Sequence, residues 1–248
     1  MNIVLLGATG GIGKCLSKEL LISHNLFIGS RYKKNIEILI NEINTDNNDN
    51  LVNTINGDIV DASNFESVSS FLNTANEHLG SIDCIINCVG SLLLKPAHLT
   101  SEEEFDNVLR TNVFSCFSIL KHSFKFLKSN GGSIIFFSSA ASKVGLKNHE
   151  SISSAKAAIS AMALSAASTY ARYNIRVNAI APGLVETPLT EKIVSNKMSL
   201  DYSKNLHGLN RIGKPENFIP IINSLIDDRS DWITGQTIFV DGGLSNVK

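Results

Sequence analysis

From its first residue the chain alternates short apolar runs with longer segments of helical periodicity. Residues 2–6, 26–29, 51–55, 82–87, 133–137, 175–180 and 237–240 read as seven strands. Helical patterns fill 11–24, 33–43, 63–79, 105–127, 152–173 and 215–226, with Ser63 and Ser151 as candidate caps and Pro215 opening the last. Strands separated by helices pair in parallel, with the helices covering both faces of one sheet. Strands buried on both faces must be apolar throughout, and 82–86 and 134–137 are. Residues 44–50, rich in asparagine, read as a solvated loop. Residues 184–210 break the periodicity and read as a mobile lid rather than a linker.

The first strand runs into Gly7-Ala8-Thr9-Gly10-Gly11-Ile12-Gly13, and the next helix opens on it. Glycines allow a sharp turn and let a pyrophosphate approach the backbone, where helix N–H groups and the helix dipole favour an anion. The motif has weight here because it follows a strand, opens a helix and begins a series of βα units. The expected fold class is therefore α/β: a single-domain Rossmann fold over residues 1–248, a doubly wound, seven-stranded parallel sheet, binding a nicotinamide dinucleotide. Where the second strand ends, an NAD site commonly offers an acid to the ribose; this chain offers Ser30 and Arg31, with Lys33 and Lys34 close behind. An arginine fork suits a 2′-phosphate, which favours NADP(H), with NAD(H) possible. The alternative is that Arg31 simply begins a solvated helix.

The 248 residues are 43% hydrophobic and 18% charged, with a formal net charge of -1. A chain of this size buries a large core without a metal or disulfide. The charge balance gives no support to a nucleic-acid partner. Cys15, Cys84, Cys88 and Cys116 form no CxxC pair and have no zinc spacing, so they read as buried thiols in a reducing compartment, and no metal is expected. No signal peptide and no apolar run of membrane-spanning length is read, so the expected location is cytoplasmic, without a membrane partner.

These features, with further motifs downstream, resemble the short-chain dehydrogenase/reductase family over nearly the whole chain. The family's TGxxxGxG motif is similar to Leu6-Gly7-Ala8-Thr9-Gly10-Gly11-Ile12-Gly13, with leucine for threonine. Asn87-Cys88-Val89-Gly90 resembles its Asn-Asn-Ala-Gly strand end, and Asp58-Ile59 its adenine-contacting Asp-Val. Asn112, Ser139 and Lys156 match its helix asparagine, active-site serine and the lysine of YxxxK. Pro182-Gly183-Leu184-Val185-Glu186-Thr187 matches its nicotinamide-contacting PGxxxT segment. Residues 232–236 and 240–243 match its C-terminal signature. The resemblance implies a small-molecule substrate and a homotetramer or homodimer built through 105–127 and 152–173. It implies cofactor contacts from Gly7, Thr9, Gly11, Ile12, Gly13, Ser30, Arg31, Asp58, Ile59, Asn87, Cys88, Val89, Gly90, Lys156, Pro182, Gly183, Val185 and Thr187.

One family residue is missing. Four positions before Lys156, where the family carries its proton-transferring tyrosine, this chain has Ile152. General acid–base help is worth about 10²- to 10⁴-fold. The spacing from Ser139 needs no gap. Tyr170 and Tyr173 lie about 20 Å or more along the helix. Tyr32 belongs to the adenosine end, which leaves Tyr202 on the lid as the one tyrosine able to swing in. His149 lies three residues before Ile152 and carries an imidazole, a side chain suited to proton transfer, so it is the preferred replacement, with Glu150 able to orient it; a histidine that merely packs at the helix entry is the alternative. Leu189, Ile193, Met198 and Leu200 suggest a partly apolar pocket. The expected catalytic set is Ser139, Lys156, Asn112 and His149, serving an NADP(H)-dependent oxidoreductase that acts on a carbonyl, alcohol or activated double bond. The competing expectation is a nicotinamide-cofactor-binding protein with little or no turnover, a redox sensor or inactive oligomer partner.

Overall fold

A computed structural model describes residues 1–46 and 52–247. Seven parallel strands form one sheet in the order β3-β2-β1-β4-β5-β6-β7. They are β1 (Asn2–Leu6), β2 (Asn25–Ser30), β3 (Ile55–Ile59), β4 (Cys84–Asn87), β5 (Gly132–Phe137), β6 (Ile175–Pro182) and β7 (Thr237–Val240). The helices are α1 (Gly11–Leu20), α2 (Lys33–Asp46), α3 (Phe65–Leu79), α4 (Glu102–Leu109), α5 (Ser115–Leu127), α6 (Glu150–Tyr170), α7 (Glu191–Val194), α8 (Lys197–Leu206) and α9 (Ile219–Ile226).

Side-chain alternation along β1 builds a core on each face. Val4 and Leu6 join Phe71 of α3, Ile119 of α5 and Ile159 of α6. Ile3 and Leu5 join Leu16 of α1, Leu39 of α2 and Ile222 of α9. Strand order reverses between β1 and β4, and the carboxyl ends of those strands open the crevice where doubly wound sheets bind ligands.

Several boundaries differ from those read in the sequence. The third strand lies at Ile55–Ile59 instead of 51–55, and Ile55 pairs with Leu26. As an edge strand it pairs only with β2, so its polar residues cost little and the apolar cue misled. Leu51 and residues 47–50 of the expected loop lie outside the described residues, while residues 44–46 close α2. Asn64, not Ser63, caps α3, accepting the Ser67 N–H. Ser151 is not a cap: α6 starts at Glu150 and Ser151 is buried in its first turn.

The expected helix over 105–127 is broken. A capping box between Ser101 and Glu104 starts α4 earlier, and a π-helical turn (Arg110–Phe114) separates it from α5. Residues 184–210, read as irregular, contain a 3-10 turn (Pro188–Thr190) followed by α7 and α8. These short helices pack on one side only, and short helices with a narrow apolar face give weak periodicity.

Candidate active site

The turn after β1 is built by close backbone approach. Gly7 has φ +76°, and a side chain there would meet Cys88 and Val89 backbone at 2.8 Å. A Cβ on Gly13 would lie 2.3 Å from the Gly7 carbonyl oxygen. Gly10 precedes α1 without a side-chain cap, so the first N–H groups of the helix keep their capacity to bind an anion.

At the neighbouring end of β2, the Thr9 and Ser30 hydroxyls lie 2.7 Å apart. Arg31, Lys33 and Lys34 follow, exposed, and none has an acidic partner among the described residues. The first turn of α2 holds no acid, so its cations stand at the positive end of the helix dipole. Asp58 pairs in register with Gly29, and its carboxylate accepts the Ile59 N–H at 2.7 Å. Asp58 and Ile59 are exposed at the end of β3, on the outer side of this cluster and away from the cavity described below.

Asn87 is buried at the end of β4. Its amide donates to Ser115 Oγ at 3.2 Å and to Cys116 Sγ at 3.3 Å, while its carbonyl accepts the Val89 N–H at 3.1 Å. It therefore shapes the Cys88-Val89-Gly90 exit by tying it to α5. Asn112 sits in the π turn, fully buried, and donates to the Val108 carbonyl and to Ser91 Oγ, both at 2.9 Å. Both bonds hold Asn112 within the widened turn, the kind of π turn often found at functional sites. Gly90 lies between Asn112 and Lys156: a Cβ there would be 3.2 Å from Asn112 Oδ1 and 3.3 Å from Lys156 Nζ. Lys156 Nζ donates to the Phe137 carbonyl at 2.9 Å. Burial pulls its ammonium down from 10.5 to about 8. The same burial pushes the nearby Cys116 thiol up to about 11 and the Cys88 thiol higher still, so both stay protonated.

Ser139 ends the loop after β5 in extended conformation, and its Oγ accepts the Ala141 N–H at 3.2 Å, which leaves the hydroxyl hydrogen free to donate elsewhere. His149 is the residue before α6 and makes no capping bond. Its Nδ1 lies 2.7 Å from the Lys147 carbonyl, which makes Nδ1 the protonated nitrogen of the neutral ring and leaves Nε2 without a partner among the described residues. Ile152 is 3% exposed and packs with Val108, Leu92, Leu109 and Val113.

Some of these groups converge on a cavity of about 660 Å³, which Asn87 and Asn112 do not line. Ser139, His149, Ile152 and Lys156 face it from β5 and α6, and Cys88, Val89 and Gly90 from β4. Pro182, Gly183, Val185 and Thr187 close another side, with Ile12 from α1. A Cβ on Gly11 would lie 2.7 Å from Thr187, so this segment rests directly on the glycine turn. Leu189, Ile193, Met198 and Tyr202 supply the outer wall. Leu200 is not on that wall, because its position on α8 turns it from the cavity. Tyr170 and Tyr173 pack on Phe124, remote from the cavity.

Three residues of the site carried no signal by themselves. Ser91 holds Asn112, Ser138 Oγ donates to the Lys156 carbonyl at 2.8 Å, and buried His207 reaches the cavity from the end of α8. The two serines adjoin motif residues, but His207 falls where the sequence shows no period. Among the described residues, no three His, Cys, Asp or Glu side chains gather as metal ligands, and no helix is long and apolar enough to cross a membrane.

A family model described as Enoyl-(Acyl carrier protein) reductase matches residues 24–245. A chloroplastic tropinone reductase homolog of Arabidopsis thaliana is 30% identical over 248 residues, which cover 99% of this chain and 76% of that protein. The 3-oxoacyl-(acyl-carrier-protein) reductase FabG of Thermotoga maritima is 30% identical over 247 residues, 97% of this chain and 96% of that one. Among solved structures, a short-chain type dehydrogenase/reductase from Mycobacterium ulcerans superposes with TM-score 0.92 at 24% identity, over 99% of this chain and 90% of that one. An actinorhodin polyketide ketoreductase with NADPH gives 0.90 at 23%, over 99% and 97%.

Proposed function

Since the chain belongs to the short-chain dehydrogenase/reductase family of oxidoreductases, we propose that it uses NADP(H) to reduce or oxidise a carbonyl, alcohol or activated double bond in an apolar substrate. The observation that carries this reading is the convergence of Ser139, His149 and Lys156 on one largely apolar cavity, beside a glycine turn with an uncapped helix end. The residues fit a nicotinamide dinucleotide: Gly90 leaves open a space that a Cβ would fill between Asn112 and Lys156, and Gly7 permits the tight turn.

The cofactor, when bound, supplies or accepts hydride. Ser139 donates its hydroxyl hydrogen to the substrate oxygen. Lys156 has ammonium hydrogens beyond the one given to Phe137, and these hold ribose hydroxyls. Asn112 and Gly90 shape the floor. We read Ile152 as standing where the family carries its tyrosine, so the proton comes from elsewhere. His149, protonated on both nitrogens, keeps Nδ1–H on the Lys147 carbonyl and gives its proton through Nε2, or passes it through solvent. A double-bond reduction completed by solvent protonation makes the least demand on Ile152. Arg31, Lys33 and Lys34 support the NADP(H) preference, because cations gathered at a helix N-terminus are unfavourable until an anion such as a 2′-phosphate joins them.

On the same reading, residues 184–210 are the substrate lid, and the protein is a cytoplasmic homotetramer or homodimer. The apolar surroundings of Ile152 favour a second possibility, a cofactor binder with little turnover. NADPH oxidation by purified protein over a panel of ketones, quinones and enones separates the two. We expect turnover that falls about a hundredfold in Ser139→Ala and in His149→Ala, as for loss of a positioned acid or donor. NADPH should bind more tightly than NADH, and Arg31→Asp should reverse the order. Tight NADPH binding with no turnover on any substrate selects the second possibility.

A further inference from the structure

His207 has no counterpart among the motifs discussed above, yet it is buried at the junction of the lid and the segment that faces the nicotinamide position. It is 4% exposed and directly follows α8. Its Nδ1 donates to the Ser203 carbonyl of its own helix at 2.7 Å. Its Nε2 is then the unprotonated nitrogen, and it accepts the Leu184 N–H at 3.1 Å. The ring lies against Gly183 so closely that a Cβ there would be 2.6 Å from Nε2.

The other end of the lid is tied to the same short stretch. Thr190 Oγ1 donates to the Val185 carbonyl. Beyond the lid, Gly213 forms a parallel bridge with Val185, and its N–H donates to the Leu184 carbonyl at 2.8 Å. Helices α7 and α8 thus form a flap whose two ends converge on Leu184 and Val185. These two residues directly follow Pro182-Gly183, on the cavity wall.

We propose that His207 is a positioning residue that clamps the lid to the Pro182–Val185 segment, so that lid closure and retention of the nicotinamide cofactor are one event. The clamp's role toward the cofactor rests on the function proposed above; its role toward the lid does not. Loss of the ring leaves the half-buried Leu184 N–H without its acceptor and frees the end of α8, while Ser139, His149 and Lys156 stay in place.

The test uses the full-length protein with His207→Leu and His207→Gln. Leucine approximates the ring's bulk without polar atoms, whereas glutamine can place an acceptor near the position of Nε2. Limited proteolysis within residues 190–206, without cofactor or substrate, should run about tenfold faster in His207→Leu and return toward the native rate in His207→Gln, the scale expected for one hydrogen bond left unmade. NADPH should leave His207→Leu about tenfold faster by stopped-flow fluorescence, with KM raised and kcat nearly unchanged. Equal cleavage of the native and leucine proteins overturns the clamp. Faster cleavage with unchanged NADPH release overturns the coupling. The cleavage arm needs no nucleotide, so a protein that binds no NADPH at any concentration refutes the function proposed above and leaves the lid arm to be judged by itself.

Discussion

Lys156 combines a structural cost with the ribose-holding role proposed for it. Its ammonium is buried with one backbone acceptor, and burial holds it near 8 where an unfolded chain has 10.5. The folded state therefore disfavours the charged form. That penalty, on the order of 3 kcal/mol, is present in full below about pH 8 and is relieved as pH rises toward 10.5. Lys156→Met should accordingly raise the stability of the cofactor-free protein by up to a few kcal/mol at pH 7. The gain should shrink toward zero above pH 10.5, as followed by denaturant titration at several pH values. The same variant should lose most of its NADPH affinity. A destabilised variant at pH 7 would mean that the ammonium has better partners than Phe137. Residues nearby show what their types can disclose. Ser139 and Lys156 stand out in the sequence because their chemistry and spacing match a known pattern, and both lie on the cavity wall. The tautomer of His149 was not, because it follows from where the Lys147 carbonyl lies.

Among the secondary-structure elements, α4 shows how local chemistry sets geometry at the site. The Ser101 hydroxyl accepts the Glu104 N–H, and the Glu104 carboxylate accepts the Ser101 N–H at 2.8 Å. Lys95 also binds that carboxylate at 2.7 Å and, as the largest cause, holds Glu104 below its usual range. Ser101→Ala should cost about 1 kcal/mol, read as a lower denaturation midpoint at unchanged slope. The capping box lies in plain view in the sequence Ser101-Glu102-Glu103-Glu104, although the apolar periodicity starts only at Phe105. The π turn was hidden. It depends on Asn112 reaching Val108 and Ser91 at once, and Ser91 arrives from another part of the chain.

For the whole molecule, exposed apolar surface bears on the assembly proposed above. Phe117 on α5 and Leu164 on α6 are 54% and 62% exposed, and Phe65 of α3 lies beside Phe114 and Phe117 with ring centres at 6.4 and 6.2 Å. Exposed aromatic clusters of this kind mark interfaces. Phe117→Asp should lower the mass measured by light scattering from that of a dimer or tetramer, with the far-ultraviolet circular dichroism unchanged. A native protein that is already monomeric at micromolar concentration would remove the assembly proposed for this face.

Periodicity and punctuation determined the architecture directly. Continuous apolar runs required a sheet covered on both faces, and the glycine turn located its ligand crevice. Those properties are local, since each depends on residues adjacent in the chain. The position of β3, the π turn, the folding of residues 184–210 into α7 and α8, and the His207 bond to Leu184 were decided only in three dimensions. For three of these the deciding partner lies elsewhere in the chain: β2 for Ile55, Ser91 for Asn112, Leu184 for His207. A hydrogen bond between groups distant in sequence leaves no period to read.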